Sequence, residues 1–327
     1  MPFQLSGAVV PSRPRRRKVY RPPEMLLNLQ VLDLMEISGS QIRAAESLAM
    51  HQSTVSRSYR ELAEQFHLEP ARKPHKVCRW GVSSSLRLLR LACRAHRLED
   101  GRLRLASDAV HQPLLEGVPG VLQVPPCFHA AADWAALVRQ GVIDGAIVSS
   151  LCHSQPPPAG RLPSWEGVQV MPLGALELQL VCHANWAGEW DETVLLPSAE
   201  VMPLLHQQLE PGVCGLLERS SRAWQEAPIW LEQLQLRPVA LPVCPALAPA
   251  SWWQEQGLMA VAEQPTMRER LWLLLPDDLE LPQAAQATLR LIRRRVSRAA
   301  ARGEEGLLEA GRAAELVELV GDEEAAA

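Results

Sequence analysis

Residues 39–66 read GSQIRAAESLAMHQSTVSRSYRELAEQF, and this stretch decides the fold of the N-terminal part of the chain. A short helix is predicted from Ser40, with Ile42, Ala45 and Ala49 on one side. After His51, apolar side chains recur at helical spacing; they are Val55, Tyr59, Leu62 and Phe66. Two helices joined by a tight turn, with small residues that allow a close crossing, predict a helix-turn-helix.

The second helix of this pair is the predicted recognition helix, which would enter the major groove of DNA by its N-terminal turns. A preceding helix is predicted from Glu24 to about Ser38, because leucines and a methionine recur at three-residue steps. Glutamine can bond adenine through two hydrogen bonds, and arginine can bond guanine or a phosphate. The candidate DNA-binding side chains on the recognition helix are Gln52, Ser53, Thr54 and Arg57.

The same 28 residues resemble the DNA-binding signature of LysR-type transcriptional regulators. The matching residues are Gly39, Ser40, Ala44, Ala45, Leu48, Gln52, Ser53, Ser56, Arg57 and Leu62. The resemblance implies an all-α winged helix-turn-helix domain over 22–81, with His51 where the family commonly has a helix-capping serine. The predicted wing, LEPARKPHKVCRWG, differs from the family pattern, but Arg72, Lys73 and Lys76 would still be available to phosphates.

The segment VSSSLRLLRLACRAHR (82–97) predicts a helix with an apolar seam at four- and three-residue steps. The seam residues are Val82, Leu86, Leu89 and Cys93, and the arginines lie off the seam. In the resembled family this helix pairs two subunits, so a homodimer or homotetramer through these residues is expected. The alternative is that the helix packs on its own domain.

Charge is distributed unevenly along the 327 residues. The first 100 residues carry 17 Lys and Arg against 9 Asp and Glu, and the remainder carries 16 against 28, for a net charge of −4. A basic N-terminal segment followed by an acidic remainder is expected where only the N-terminal segment binds double-stranded DNA. No signal peptide, membrane span or disulfide spacing is recognisable, which predicts a cytoplasmic protein with reduced thiols.

From Gly101 the pattern changes to strands that alternate with helices, which predicts an α/β domain. Buried strands are expected at RLRLAS (102–107), VLQVP (121–125) and GAIVSS (145–150), with a helix over 133–143. Gly141 and Asp144 match the hallmark of the resembled family's effector domain. The implied fold is a two-lobed, periplasmic-binding-protein-like effector domain over 101–302.

The predicted domain organisation follows from these segments. A basic arm covers 1–21, the DNA-binding domain 22–81 and the linker helix 82–100. Lobe 1 comprises about 101–160 and 265–302, and lobe 2 about 165–264, with separate strands at VQVMPL and LELQLVCH. An acidic, Ala-rich tail occupies 303–327.

Ligands of open parallel sheets sit beyond the carboxyl ends of the strands, and this rule nominates the effector-binding residues. They are Ser107, Asp108, Phe128, His129, Ser149, Ser150 and Ser198. Hydroxyls and helix N-terminal amides at such points suit a small anionic ligand, although Asp108 opposes that chemistry. Cys127, His129, Cys152 and His153 have side chains that suit zinc or a redox switch, but their spacing fits no known metal motif. No metal or other cofactor is expected.

Three functional interpretations remain open at this point. The leading one is a regulator that binds a dyad-symmetric operator and senses a small metabolite, with no enzymatic activity. The second is a small-molecule-binding protein or an enzyme on the same two-lobed fold, for which no nucleophile elbow, P-loop or dinucleotide motif is visible. The third is a regulator that has lost its ligand response or its sequence-specific DNA binding.

Overall fold

The structure is a computed structural model, and it describes part of the chain. The described residues are 26–69, 80, 83–149, 164–186, 190, 192–210, 215–219, 227–248, 250–262, 264–265 and 267–302. Several sequence predictions lie outside these ranges: the arm, the tail, the wing residues Arg72, Lys73 and Lys76, and also Val82, Ser150, Cys152 and His153.

Four helices form the N-terminal region: Leu27–Ser38 (α1), Gln41–Ser47 (α2), Gln52–Phe66 (α3) and Ser84–Glu99 (α4). The first three are the helices that the apolar spacing predicts. Ser40 caps α2 by accepting a hydrogen bond from the amide of Arg43, whereas the His51 side chain makes no capping hydrogen bond to α3. The α3 cap thus lacks the side-chain oxygen that a serine would supply.

The remaining residues form an α/β region whose elements alternate as predicted. The strands are Leu103–Ala106 (β1), Val121–Gln123 (β2), Gly145–Ser149 (β3), Val168–His183 (β4), Thr193–Pro197 (β5), Gly215–Arg219 (β6), Val239–Val243 (β7), Leu258–Ala260 (β8) and Met267–Pro276 (β9). The helices are Ala131–Arg139 (α5), Pro203–Leu209 (α6), Ala227–Leu236 (α7), Ala250–Glu255 (α8) and a helix over 283–302 (α9).

The strands pair in the order β2-β1-β3-β9-β4-β7-β5-β6, with β8 also on β4. β1, β2 and β3 are parallel, β9 is antiparallel to β3, and β5 is parallel to both β6 and β7. β4 belongs to both halves, because it pairs with β9 through Leu178 and with β7 from Gln179. The result is the predicted pair of lobes, with β4 running from one into the other.

The prediction of two separate strands at VQVMPL and LELQLVCH is wrong, because β4 is continuous over 16 residues. Its pairing register shifts between Pro172 and Gly174. Gly174 has a φ of +147°, which a side chain rarely allows. A proline followed closely by a glycine therefore marks an irregularity inside one strand and not the end of a strand.

The helical region shares a hydrophobic core with the first lobe. Met35, Ile37 and Val55 lie in the same buried cluster as Trp134 and Ile143. The DNA-binding and effector segments are therefore distinct in sequence, but they do not have two independent hydrophobic cores. Within the described ranges, no helix is both long enough and apolar enough to cross a bilayer.

Candidate nucleic-acid interface and ligand cleft

The predicted DNA-binding side chains of α3 lie on its outer face. Gln52, Ser53, Thr54 and Arg57 are all exposed, while Val55 and Leu62 on the opposite face are buried. Val55 packs with α1 and α2, and Leu62 packs with α1 and α4. The apolar side of α3 thus fixes the helix and turns its N-terminal polar residues outward, as a recognition helix requires.

The apolar seam of α4 faces its own chain. Leu86 is fully buried and Cys93 nearly so, in a cluster with Leu29, Leu32 and Leu62 of α1 and α3. Leu89 packs at the edge of that cluster. Leu86 and Cys93 therefore pack inside their own chain and are not available to pair two subunits. This is the intramolecular alternative that the sequence left open. A homo-oligomer stays a prediction, and in this arrangement it would use another surface.

Three of the arginines that lie off the α4 seam, Arg90, Arg94 and Arg97, are also buried, whereas Arg87 is exposed. Arg90 Nε donates to Asp33 Oδ1 of α1 at 2.7 Å, and Arg104 Nη1 of β1 donates to Asp33 Oδ2 at 2.8 Å. All three side chains are less than a tenth exposed. One carboxylate thereby joins α1, α4 and the first strand of lobe 1.

Asp144, directly before β3, is the second carboxylate of this network. It accepts from Arg94 Nε at 3.3 Å, from Arg97 Nε at 3.0 Å and from the amide of Arg104 at 2.7 Å. Burial alone would raise the pKa of Asp144, but Arg97 and Arg94 hold that pKa below its usual value. The carboxylate is therefore ionised, and it fixes α4 against lobe 1.

Gly141 has a structural role next to this network. Its φ is +74°, and a Cβ added there would lie 3.0 Å from the Cβ of Arg90. Glycine lets the turn after α5 approach α4 closely enough for Arg94 to reach the carbonyls of Val138 and Ile143, at 3.0 and 3.2 Å. The two hallmark residues Gly141 and Asp144 thus both serve the contact with α4.

Three of the nominated effector-binding residues come together, but in the interior. Ser107, Asp108 and Ser149 are each less than a tenth exposed. They lie with two residues that the sequence did not single out, His111 and Glu269. The His111 Nδ1 is 2.8 Å from Asp108 Oδ1, and its Nε2 is 3.6 Å from Glu269 Oε2.

Two side chains of this interior cluster, His111 and Glu269, have raised pKa values. Burial raises the pKa of Glu269 to about 7, and the nearby His111 ring opposes part of that rise. Burial would lower the pKa of His111, but Asp108 and Glu269 together raise it above its usual value. Through these contacts, His111 joins Asp108 in the loop after β1 to Glu269 of β9.

A cleft of about 780 Å³ opens between the two lobes. Phe128, the one nominated residue among those described that lines it, makes an edge-to-face contact with Trp230 at 5.6 Å between ring centroids. Trp252, Leu231 and Met202 extend the apolar wall. Residues 43, 46 and 47 of α2 also line the cleft, so the helix-turn-helix forms part of its wall.

His129 and Ser198 lie outside that lining. His129 Nε2 is 2.8 Å from the carbonyl of Ile37, and its ring packs edge-to-face on Trp134. The Ser198 carbonyl accepts the amides of Val201 and Met202 in the turn that leads into α6. Both residues have local structural partners, and their predicted contact with a ligand stays a prediction.

Cys127, the described cysteine of the metal alternative, is fully buried. Burial raises the pKa of its thiol to about 12, with the Arg43 guanidinium 3.9 Å away opposing part of that rise. A thiol held in the neutral form is a poor metal ligand and a poor nucleophile. This environment does not favour the zinc or redox alternative at Cys127.

Comparisons with known proteins give a likeness of fold. No family model and no curated protein matches the chain. Among solved structures, ArgP from Mycobacterium tuberculosis is 18% identical with a TM-score of 0.46, covering 82% of this chain and 96% of that one. CbnR, a LysR family transcriptional regulator, is 13% identical with a TM-score of 0.43, covering 82% and 99%. Full-length LysG from Corynebacterium glutamicum with bound effector Arg is 16% identical with a TM-score of 0.42, covering 82% and 97%.

These solved structures are LysR-family transcriptional regulators. At identities below 25% and TM-scores below 0.5, the likeness carries no argument about what this chain binds.

Proposed function

We propose that this chain is a DNA-binding transcriptional regulator that reads a double-stranded operator with α3 and senses a small molecule in the cleft between its lobes. The observation that carries the proposal is the outward placement of Gln52, Ser53, Thr54 and Arg57 on the first turns of α3. The opposite face of the same helix is buried against α1, α2 and α4. Such a protein would work in the cytoplasm, where its DNA is.

The charge distribution supports the same proposal. The basic excess lies in the first 100 residues, chiefly in the segments that flank the helix-turn-helix, because residues 26–69 carry 3 Lys and Arg against 6 Asp and Glu; the remainder of the chain is acidic. Phosphates attract the first and repel the second, so DNA is expected to meet the chain at its helical end.

A role as an enzyme has less support. The groups that most resemble acid–base machinery are Asp108, His111 and Glu269, and all three are less than a tenth exposed. A catalytic group must reach the atom from which it takes a proton. We therefore propose a structural role for this cluster and a non-catalytic function for the chain.

A fluorescence-anisotropy titration tests DNA binding directly. The labelled duplex is the intergenic DNA upstream of the protein's own gene, and a scrambled duplex of equal composition is the comparison, each at several salt concentrations. Specific complexes are typically about 10³-fold tighter than non-specific ones, and a preference of that order is expected here. Equal, weak and steeply salt-dependent binding to both duplexes would contradict the proposal.

The arginine of α3 gives the sharpest variant in that assay. Arg57→Ala should weaken operator binding about tenfold or more, because a base or phosphate contact of an arginine is worth about 1–3 kcal/mol. Arg87→Ala removes an equally exposed arginine from α4 and is the matched control. An Arg57→Ala affinity equal to that of Arg87→Ala would remove Arg57 from the interface.

A further inference from the structure

Prolines recur along the wall of the interlobe cleft. Five prolines line it, at positions 113, 125, 126, 197 and 242. Proline has no backbone N–H, so these positions offer a ligand no amide donor. A polar ligand that loses water without regaining hydrogen bonds is bound unfavourably. The cleft therefore favours a ligand whose surface is mainly apolar.

Aromatic rings supply much of the remaining wall. The Phe128 and Trp230 rings meet at 62°, and Trp252 lies on the same cleft. Aromatic side chains bind other rings through stacked or edge-to-face contacts, each worth more than its buried area alone. The cleft volume of about 780 Å³ lies within the usual range for small-molecule sites, about 300–1,000 Å³.

The polar part of the wall comes largely from α2. Arg43, Glu46 and Ser47 are spaced at i, i+3 and i+4 and therefore share one face of the helix. α2 in turn contacts α3, where Gln41 Oε1 accepts from Gln52 Nε2 at 3.5 Å. A molecule in the cleft would thus touch the helix that packs against the recognition helix.

We propose that the cleft binds a planar aromatic molecule of mainly apolar surface, and that this ligand contacts α2 as well as both lobes. The inference deepens the proposed function and rests on it for its regulatory meaning. It differs from the sequence expectation of a small anionic ligand held by hydroxyls. The lining residues that the structure describes all belong to one chain.

Isothermal titration calorimetry with 2-naphthol as the probe tests the ligand class, and 1-octanol is the aliphatic comparison. The wild type should bind 2-naphthol about tenfold more tightly than 1-octanol, because ring contacts add to the area term. Trp252→Ala should weaken 2-naphthol binding roughly fivefold or more. Trp186→Ala deletes a half-buried tryptophan outside the cleft lining and should leave the affinity within about twofold.

A second variant tests the cleft in case the Trp252→Ala protein folds poorly. Ala109 is half-buried on the cleft wall, and Ala109→Trp fills the cleft without removing a core side chain. This variant should lose 2-naphthol binding while its thermal unfolding stays cooperative. Binding of 2-naphthol to Ala109→Trp at the wild-type affinity, or equal affinities for 2-naphthol and 1-octanol in the wild type, would overturn the proposal.

Hydrogen–deuterium exchange tests the contact with α2. Saturating 2-naphthol should slow amide exchange over 41–47 at least threefold, because a ligand that bridges α2 and the lobes suppresses local opening. Exchange over 283–302, away from the cleft lining, should stay unchanged. Unaltered exchange in α2 with bound probe would refute the contact. None of these measurements uses DNA. A failed operator titration would therefore reject the proposed DNA-binding function without changing the conclusion about the ligand.

Discussion

Beside the apolar core that they share, the helical region and the α/β region meet at two further contacts that differ in chemistry. At α1 and α4 the contact is closed and charged, with Asp33 and Asp144 holding four buried arginine side chains. At α2 the contact is an open, mainly apolar cleft of about 780 Å³. Buried ion pairs demand one geometry, because a displaced charge is left without a partner. An apolar cleft tolerates small shifts. The first contact therefore fixes the two regions, and the second is free to respond to a ligand.

The largest effect is expected at the charged contact. Asp144→Ala leaves Arg94 and Arg97 buried without their carboxylate, and removing one partner of a buried pair costs about 3–5 kcal/mol. The measurement is the free energy of unfolding in urea. Asp100→Ala is the matched control, since Asp100 is half exposed and pairs with Arg102 at 3.5 Å. A change in stability as small as that of the control would show that the charged contact does not fix the two regions.

The glycine beside that contact tests how closely α4 and the α5 turn must approach. Gly141→Ala combines a positive φ with an added Cβ 3.0 Å from Arg90, and an expected loss of about 2–3 kcal/mol follows from backbone strain and overpacking. Gly117→Ala has a φ of +62° but nothing within 4 Å of its new Cβ, so strain alone should cost about 1 kcal/mol. Equal losses for both variants would mean that α4 can move away without cost.

The smallest effect is expected at the interior cluster of Asp108, His111 and Glu269. Because the pKa of Glu269 is raised to about 7 in the folded chain, folding favours its protonated form, and stability falls as pH rises from about 4.5 to 7. The raised pKa of His111 acts in the same direction at higher pH. Glu269→Gln should reduce the loss of stability between pH 5 and pH 8 by about 1–2 kcal/mol. The exposed-residue variant Glu255→Gln should show the full wild-type loss, and a Glu269→Gln profile parallel to it would disprove the assignment.

The local pattern of the sequence predicts the helices well but not the partners of their polar faces. Apolar spacing predicts α1, α2, α3 and the seam of α4. It does not show that Arg94 and Arg97 of α4 are buried, because their partner Asp144 lies about 50 residues further along the chain. Amphipathic periodicity identifies an apolar face, whereas burial of a charged face depends on tertiary pairing.

The candidate cleft shows the same limit. The rule that ligands lie beyond the ends of parallel strands correctly selects Phe128. It also selects the hydroxyl groups of Ser107 and Ser149, which are buried and do not line the cleft. The two tryptophans of the wall come from α7 and α8, and most of its polar residues come from α2. Nothing in the local spacing of tryptophans or of Arg43 indicates that segments about 190 residues apart share one cavity.

The operator affinity, measured with and without saturating 2-naphthol, shows whether the cleft is coupled to the DNA-binding face. If the probe contacts α2 and α2 positions α3, operator affinity should change by about fivefold or more, and DNA should change the probe's affinity by the same factor. An operator affinity that stays within twofold while calorimetry shows the cleft occupied would contradict the account. The cleft and the recognition helix would then act independently.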